Sequence, residues 1–159
     1  MKNTNEKTNV SRILDQKKIV YESYSYQPDA TLTGNQIAQL LHLEPQRMFK
    51  TLVTVAHSKQ HYVFVVPVNC ELNLKKAAKA VNEKSIEMIK MKELLALTGY
   101  VHGGCSPIGM KKFFPTVIDE SAETFDKIIF SAGKVGHQVE MNPQDLLKVI
   151  EFKYADIKE

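Results

Sequence analysis

The sequence predicts an α+β fold built on a mixed or antiparallel sheet, and three observations carry that prediction. Segments with β-branched alternation and segments with helical spacing follow one another along the chain. Several strand-like segments are neighbours with no helix between them, a pattern that excludes a doubly wound parallel sheet and is compatible with a closed barrel. No Pro/Gly/Ser-rich linker, repeat or low-complexity tract divides the 159 residues. One domain spanning residues 1–159 is therefore expected, long enough to bury a core of its own.

The elements follow in order. Residues 8–17 place Val10, Ile13 and Leu14 on one face at helical spacing. IVYESYSY, residues 19–26, alternates aromatics with small polar residues and reads as a strand ending before Pro28 and Asp29. Thr33 and Gln36 form a capping box that opens a helix through Ile37, Leu40 and Leu41. Pro45 starts a short turn. MFKTLVTVA and HYVFVVPV then read as the two strands of a hairpin around HSKQ.

Asn73 is placed to cap the basic helix LKKAAKAV, which runs to Asn82. MKELLALTGY gives another short helix, with Gly99 at its C-terminal cap. Beyond a glycine-rich loop, PTVID is a strand, Ser121 caps a turn of helix, and KIIFSAG and HQVEM are strands. Pro143 occupies the first position of a helix through QDLLKVIE.

Composition narrows the classes. No apolar run approaches the ~20 residues that cross a bilayer, and MKNTNEKTNV lacks the apolar core of a signal peptide. Cys70 and Cys105 are accordingly expected as reduced thiols in a cytoplasmic protein. The formal charge of +3 permits a polyanionic partner without requiring one.

Chemistry-bearing residues concentrate around the glycines. The chain has seven, and Gly99, Gly103, Gly104 and Gly109 crowd into GYVHGGCSPIG, while Gly133 and Gly136 share SAGKVG. Loops of this kind either turn several backbone N–H groups toward one anionic oxygen or simply make a tight turn. Neither is a Walker A loop or a G-x-G-x-x-G turn. Cys105 is either a nucleophile, with His102 or His137 as base and Asp119 as orienter, or a small residue in a pocket wall.

H-x-x-C at His102 and Cys105 supplies too few ligands for zinc, and His42, His57 and His61 are scattered, so no metal site is expected. Lys50 begins an apolar strand and shares a face with Leu52 and Thr54, opposite Phe49, Thr51 and Val53. Its ammonium either snorkels to solvent or enters a pocket to meet a phosphate or carbonyl. Lys75, Lys76 and Lys79, with Lys84, Lys90, Lys92, Lys111 and Lys112, read as a solvated face or as the footprint of a nucleic-acid backbone. Glu71, Glu83, Glu87 and Glu93 dilute that charge, and no RNP or GXXG signature accompanies it.

Several stretches together resemble the YbaK/EbsC family, free-standing relatives of the editing domain inserted in bacterial prolyl-tRNA synthetases. They are KTNVSRILD, ESYSYQPD, MFKTLV, LNLKKAAKAV, TGYVHGGCSPIGMKK, PTVIDESA, SAGKVG and PQDLLKVIEFKYADI, and they run essentially end to end. The most specific are the lysine of FKTL and the G-x-x-x-P loop from Gly103 to Pro107. The resemblance implies a mixed, barrel-like β-sheet surrounded by helices, and deacylation of a mischarged tRNA without metal or organic cofactor. The subgroup most similar removes cysteine from tRNA(Pro). A synthetase pocket rejects a neighbour of similar size by only about 1–3 kcal/mol, so a second site must correct its errors.

Carried onto this sequence, the resemblance makes Lys50 the catalytic residue, its ammonium holding the terminal phosphate or ribose and placing the ester. Gly103, Gly104, Cys105 and Ser106, closed by Pro107, would present backbone to the ester carbonyl. Tyr24 and Phe49 would line the substrate pocket, with Ser131 and Gly133 as its opposite wall. The implied partners are the mischarged acceptor end of tRNA and prolyl-tRNA synthetase in a ternary complex. The substrate's own thiol would attack its ester and leave as a cyclic thiolactone. The alternatives are hydrolysis of another small residue such as Ala-tRNA(Pro) by an ordered water, or a non-catalytic module that binds aminoacyl-tRNA or a synthetase. Two positions depart from the family pattern: Cys105 stands where an aliphatic residue is common, and Val135 where arginine commonly follows SAGK.

Overall fold

The computed structural model describes residues 7–159. Eight strands form two sheets among these residues. An antiparallel sheet has the order β1-β7-β6, from β1 (Tyr21–Ser25), β7 (His137–Met141) and β6 (Ile128–Ser131). A mixed sheet has the order β4-β2-β3-β5-β8, from β4 (Ile86–Met88), β2 (Phe49–Ala56), β3 (His61–Pro67), β5 (Thr116–Asp119) and β8 (Lys153–Ala155). β2 and β3 are the expected hairpin, Phe49 opposite Pro67 and Val55 opposite His61. β5 joins β3 in parallel, and β8 joins β5 in parallel.

The expected α+β class with a mixed sheet is present, but the barrel is not closed. The outer strands of the five-stranded sheet, β4 and β8, pair with nothing in the other sheet. A single parallel bridge, Met48 to Ile129, joins the two sheets just ahead of β2. One bridge leaves the sheets free to diverge, and a cavity opens where they do.

Local chemistry accounts for most element ends. The Thr8 hydroxyl accepts the Ser11 N–H at 3.1 Å ahead of α1 (Asn9–Gln16). Both halves of the capping box form ahead of α2 (Gly34–Leu40): Thr33 Oγ1 accepts the Gln36 N–H at 3.2 Å, and Gln36 Oε1 accepts the Thr33 N–H at 2.8 Å. Asn73 caps α3 (Leu74–Ala80) through the Lys76 N–H at 3.0 Å. Gly99 ends α4 (Leu94–Thr98) at φ +83°, the left-handed conformation that favours glycine. Pro143 opens α5 (Pro143–Leu146), capped by Asn142. No helix of the described residues is long and apolar enough to cross a membrane.

Three local expectations are corrected. Asp119, not Ser121, caps the turn after β5; its Oδ2 accepts the Ser121 N–H at 3.1 Å because a carboxylate is the stronger acceptor. The helix expected through QDLLKVIE stops at Leu146, and the chain after it returns to the sheet as β8. β4 has three residues and a partner far along the chain, so no local periodicity announces it.

Strand alternation sorts the core into layers. Phe49, Val53, Val63 and Val65 face a cluster shared with Val10 and Leu14 of α1 and with Phe130 and Val139 of the three-stranded sheet. Phe64, Val66 and Val117 face the other way, onto Ala77 and Ala78 of α3. A third cluster, Ile37, Ala38, Met48, Val68 and Ile129, seats α2 over the junction of the sheets.

Candidate active site

A cavity of about 370 Å³ lies where the start of β2, the first turn of α2, the glycine loop and one face of the three-stranded sheet converge. Ile37, Met48, Leu52, Val68 and Leu94 give it apolar walls, and Lys50, Thr51, His102, Ser131 and Gln138 give it polar ones. Among the described residues no aspartate or glutamate lines it, and Lys50 is the one lysine or arginine that does. A second hollow, of about 480 Å³, is bordered by Lys76, Glu120, Glu123, Asp156 and Glu159. It is larger, but none of the expected substrate-binding residues lines it, and its charges are of both signs.

β2 places Lys50 by alternation. Phe49 and Val53 anchor one face of the strand in the main core and Leu52 the other, so Lys50 emerges at the cavity rim with its side chain 30% exposed. Its Nζ stands 3.5 Å from Glu71 Oε2 on an exposed side chain. A long, solvated pair of this kind is worth little, so the ammonium is available to a ligand. The other clustered lysines stay outside: Lys75 and Lys79 are exposed, and Lys76 donates to Asp156 and to the Lys158 carbonyl.

The glycine loop divides its work. Gly103 lines the cavity at φ +88°. Gly104 does not; a Cβ there would stand 3.0 Å from Val135 N and 3.3 Å from the Lys134 carbonyl carbon, so it lets this loop lie against the SAGKVG turn. Its own N–H is taken by the Val101 carbonyl at 3.0 Å. Ser106 is fully buried and its hydroxyl accepts the Ile108 N–H at 3.3 Å. Pro107 borders a separate hollow of about 140 Å³.

Cys105 lines the cavity, and burial pushes its thiol up to about 12. A thiol that stays protonated at neutral pH is no nucleophile. Asp119 is also committed, its two oxygens accepting from the Ser121 and Ile157 amides at 3.1 Å each. The Cys–His–Asp reading fails on both counts. Among the described residues no three His, Cys, Asp or Glu side chains gather as metal donors.

On the opposite wall, Ser131 lines the cavity and its Oγ accepts the Gly133 N–H at 3.1 Å. Gly133 itself lies behind, at φ +91°, where a Cβ would stand 3.0 Å from Tyr100 Cε1. Tyr24 is outside the lining: its O–H donates to Glu140 Oε1 at 2.6 Å, and Glu140 Oε2 accepts from Arg47 Nη1 at 2.7 Å. Burial pushes the Tyr24 hydroxyl up to about 12, and the hydrogen bond to Glu140 adds to it. The cavity thus gathers Phe49, Lys50, Gly103, Cys105 and Ser131, and leaves Tyr24, Gly104, Ser106, Pro107 and Gly133 around it.

Among the lining residues that the sequence reading gives no site role, Gln138 and Thr51 are polar and face the cavity from strands. Gln138 lies opposite Ser131 in the β6–β7 register and opposite Tyr24 in the β1–β7 register, so all three point to one face. Thr51 was assigned to the face of Phe49 but given no role. A hairpin drawn around SAGKVG would have paired Ser131 with Gln138.

The model of the family described as "Aminoacyl-tRNA editing domain" matches residues 29–149. The chain is 45% identical over 157 residues to the "Putative Cys-tRNA(Pro)/Cys-tRNA(Cys) deacylase EbsC" of Enterococcus faecalis, covering 98% of this chain and 96% of that protein. Among solved structures, hypothetical protein APE2540 superposes with a TM-score of 0.86 at 21% identity, over 96% of this chain and all of that one. The structure of "a putative trans-editing enzyme for prolyl tRNA synthetase" superposes at 0.81 and 24% identity, over 97% of this chain and 99% of that one. The two superpositions establish the shared fold, and the family model and the full-length identity establish the lineage: this chain belongs to the YbaK/EbsC family of aminoacyl-tRNA editing domains.

Proposed function

We propose that the chain is a trans-editing deacylase that removes cysteine from mischarged Cys-tRNA(Pro), with the substrate's own thiol as nucleophile. The observation that carries this reading is a cavity with a cation at its rim, no carboxylate among its described lining residues to activate a nucleophile, and a cysteine, Cys105, that burial keeps as the thiol. The full-length relative named for Cys-tRNA(Pro) and Cys-tRNA(Cys) supports the substrate class.

In this mechanism the acceptor end enters past Lys50, whose ammonium meets the terminal phosphate or the ester oxygen as it gains negative charge. The amides of Gly103 and Cys105 donate to no protein acceptor among the described residues, which leaves them free to meet a ligand oxygen. The cysteine sulfur attacks its carbonyl carbon and the bond to the ribose oxygen breaks. The thiol proton ends on the released ribose hydroxyl, and cysteine leaves as a thiolactone. The protein positions and polarises rather than reacts, which the proximity of thiol and ester makes sufficient. No cofactor enters these steps. Recognition of the tRNA body is assigned to prolyl-tRNA synthetase in a ternary complex, since a net charge of +3 provides little electrostatic grip of its own.

Release of labelled amino acid from Cys-tRNA(Pro), Ala-tRNA(Pro) and Pro-tRNA(Pro) tests the reading. Loss of cysteine alone is the expected result. Equal loss of alanine would transfer the chemistry to water attack, and loss from none would leave a binding module.

A further inference from the structure

Among the described residues three buried side-chain oxygens have no partner, Tyr26 Oη, Thr51 Oγ1 and Ser121 Oγ, and of these only Thr51 lines the cavity. Gln138 is 5% exposed and lines the cavity, and its side-chain amide makes no hydrogen bond among the described residues. Thr51 lines the same cavity, and its Oγ1 is buried without a partner. A buried hydroxyl left unpaired is costly and asks for an explanation, and the unpaired Gln138 amide faces the same open cavity. Ser131 stands directly across from Gln138, and because its Oγ already accepts the Gly133 N–H, its hydroxyl hydrogen remains to donate.

We propose that Gln138 and Thr51 form the subsite for the α-amino group of the aminoacyl ester and so make the site selective for a primary amine. The assignment rests on the deacylase reading and follows from depth and chemistry. Lys50 marks the rim and Gln138 lies far less exposed, so the part of the substrate that reaches Gln138 is the aminoacyl group rather than the ribose. Beyond its ester, that group carries only the amine and the side chain. A thiol is a weak donor and suits the walls of Ile37, Met48 and Val68. An ammonium needs acceptors, and Gln138 Oε1 and Thr51 Oγ1 are acceptors with nothing to accept.

The same arrangement spares proline. A prolyl ester bears a secondary amine, with a ring methylene where a primary amine has another N–H. Seating it turns that methylene toward one of the two acceptors and leaves the acceptor buried and unpaired, the kind of mismatch by which sites reject analogues strongly. No carboxylate takes part, so a neutral amide reads the number of N–H groups rather than charge alone.

The test compares tRNA(Pro) acylated with cysteine against tRNA(Pro) acylated with 3-mercaptopropionate, which keeps the thiol and lacks the amine. Wild type and Gln138→Leu are run on both, with Thr51→Val as a second variant. Wild type is expected to prefer cysteine, and each variant to lose about 10- to 100-fold on cysteine while its rate on mercaptopropionate stays within a few-fold. Thermal unfolding of Gln138→Leu should be unchanged or improved, because the variant removes an unpaired group; if it fails to fold, Thr51→Val carries the same readout. Equal losses on both substrates, or a wild type indifferent to the amine, would overturn the subsite while leaving the deacylase standing. A wild type that releases cysteine no faster than the spontaneous rate would overturn both.

Discussion

Gln138 and Glu140 are two residues apart on β7, point to the same face, and are nearly equally buried, yet their surroundings are opposite. Glu140 is saturated: Arg47 donates to one oxygen at 2.7 Å and Tyr24 to the other at 2.6 Å. Arg47 also reaches Glu44 and the Lys127 carbonyl, tying the approach to β2 to the three-stranded sheet. The side chain of Gln138, one pleat toward the cavity, makes no hydrogen bond among the described residues. Of this pair, the group that ties the elements together is satisfied within the fold, and the group on the cavity wall is not. The contrast separates scaffold from site without reference to any relative.

Substitutions at four positions probe that contrast, beginning with the cation at the rim. Lys50→Ala should lower deacylation of Cys-tRNA(Pro) by about 100-fold or more, the scale of losing one group that stabilises a developing negative charge. Its thermal stability should barely move, because the partner Glu71 is solvated. A large stability change with intact turnover would move Lys50 from the site to the scaffold.

Glu140→Ala should behave in the opposite way and cost about 3 kcal/mol in denaturant unfolding, since it strands the Arg47 guanidinium and the Tyr24 hydroxyl. The same pair sets a pH dependence. Burial works to raise the Glu140 carboxyl, but Arg47 and Tyr24 outweigh it and hold it below its ordinary 4.5. A carboxylate with a depressed folded pKa contributes its full stability above the unfolded value and loses it as pH falls through the folded one. The stability gap between wild type and Glu140→Gln should therefore be constant at neutral pH and shrink below about pH 4.5. A gap that persists to lower pH would show that the pair does not carry it.

Gly104→Ala should cost about 1–3 kcal/mol, because the atoms its Cβ would meet at 3.0–3.3 Å are backbone of residues 134 and 135 and cannot swing aside. Cys105→Ala is expected to have the smallest effect on turnover, within about threefold, since the thiol is neutral and serves as wall. Iodoacetamide at neutral pH should correspondingly label Cys70 before Cys105. Abolition of turnover in Cys105→Ala would restore a protein nucleophile and sink the proposed chemistry.

The parts of the fold governed by short-range chemistry were readable in the sequence. The capping box at Thr33 and Gln36, the Asn73 cap, the Gly99 terminator and the β2–β3 hairpin all depend on residues within a few positions of one another. The three-residue strands β4 and β8 were not, because each is defined by a partner 30 or more residues away. The closed barrel failed for the same reason, closure being a relation between edges that no local pattern encodes.

The site followed the same division. Strand position and the glycine-rich loop drew attention to Lys50, Gly103 and Cys105, the family resemblance gave them and Phe49 their site roles, and all four line the cavity. Gln138 sits in HQVEM, an ordinary strand sequence, and only its register against Ser131 gives it a role. Tyr24 shows the converse: its position in ESYSY drew attention, but its hydroxyl is spent on Glu140.

The most direct test of the account compares tRNA(Pro) carrying cysteine with tRNA(Pro) carrying S-methylcysteine, which keeps the amine and nearly the same shape but has no thiol to attack. If the substrate supplies the nucleophile, wild type releases cysteine rapidly and leaves S-methylcysteine at the rate seen with Lys50→Ala. Comparable release of both would mean that water or a group of the protein cleaves the ester, and the central claim would be wrong.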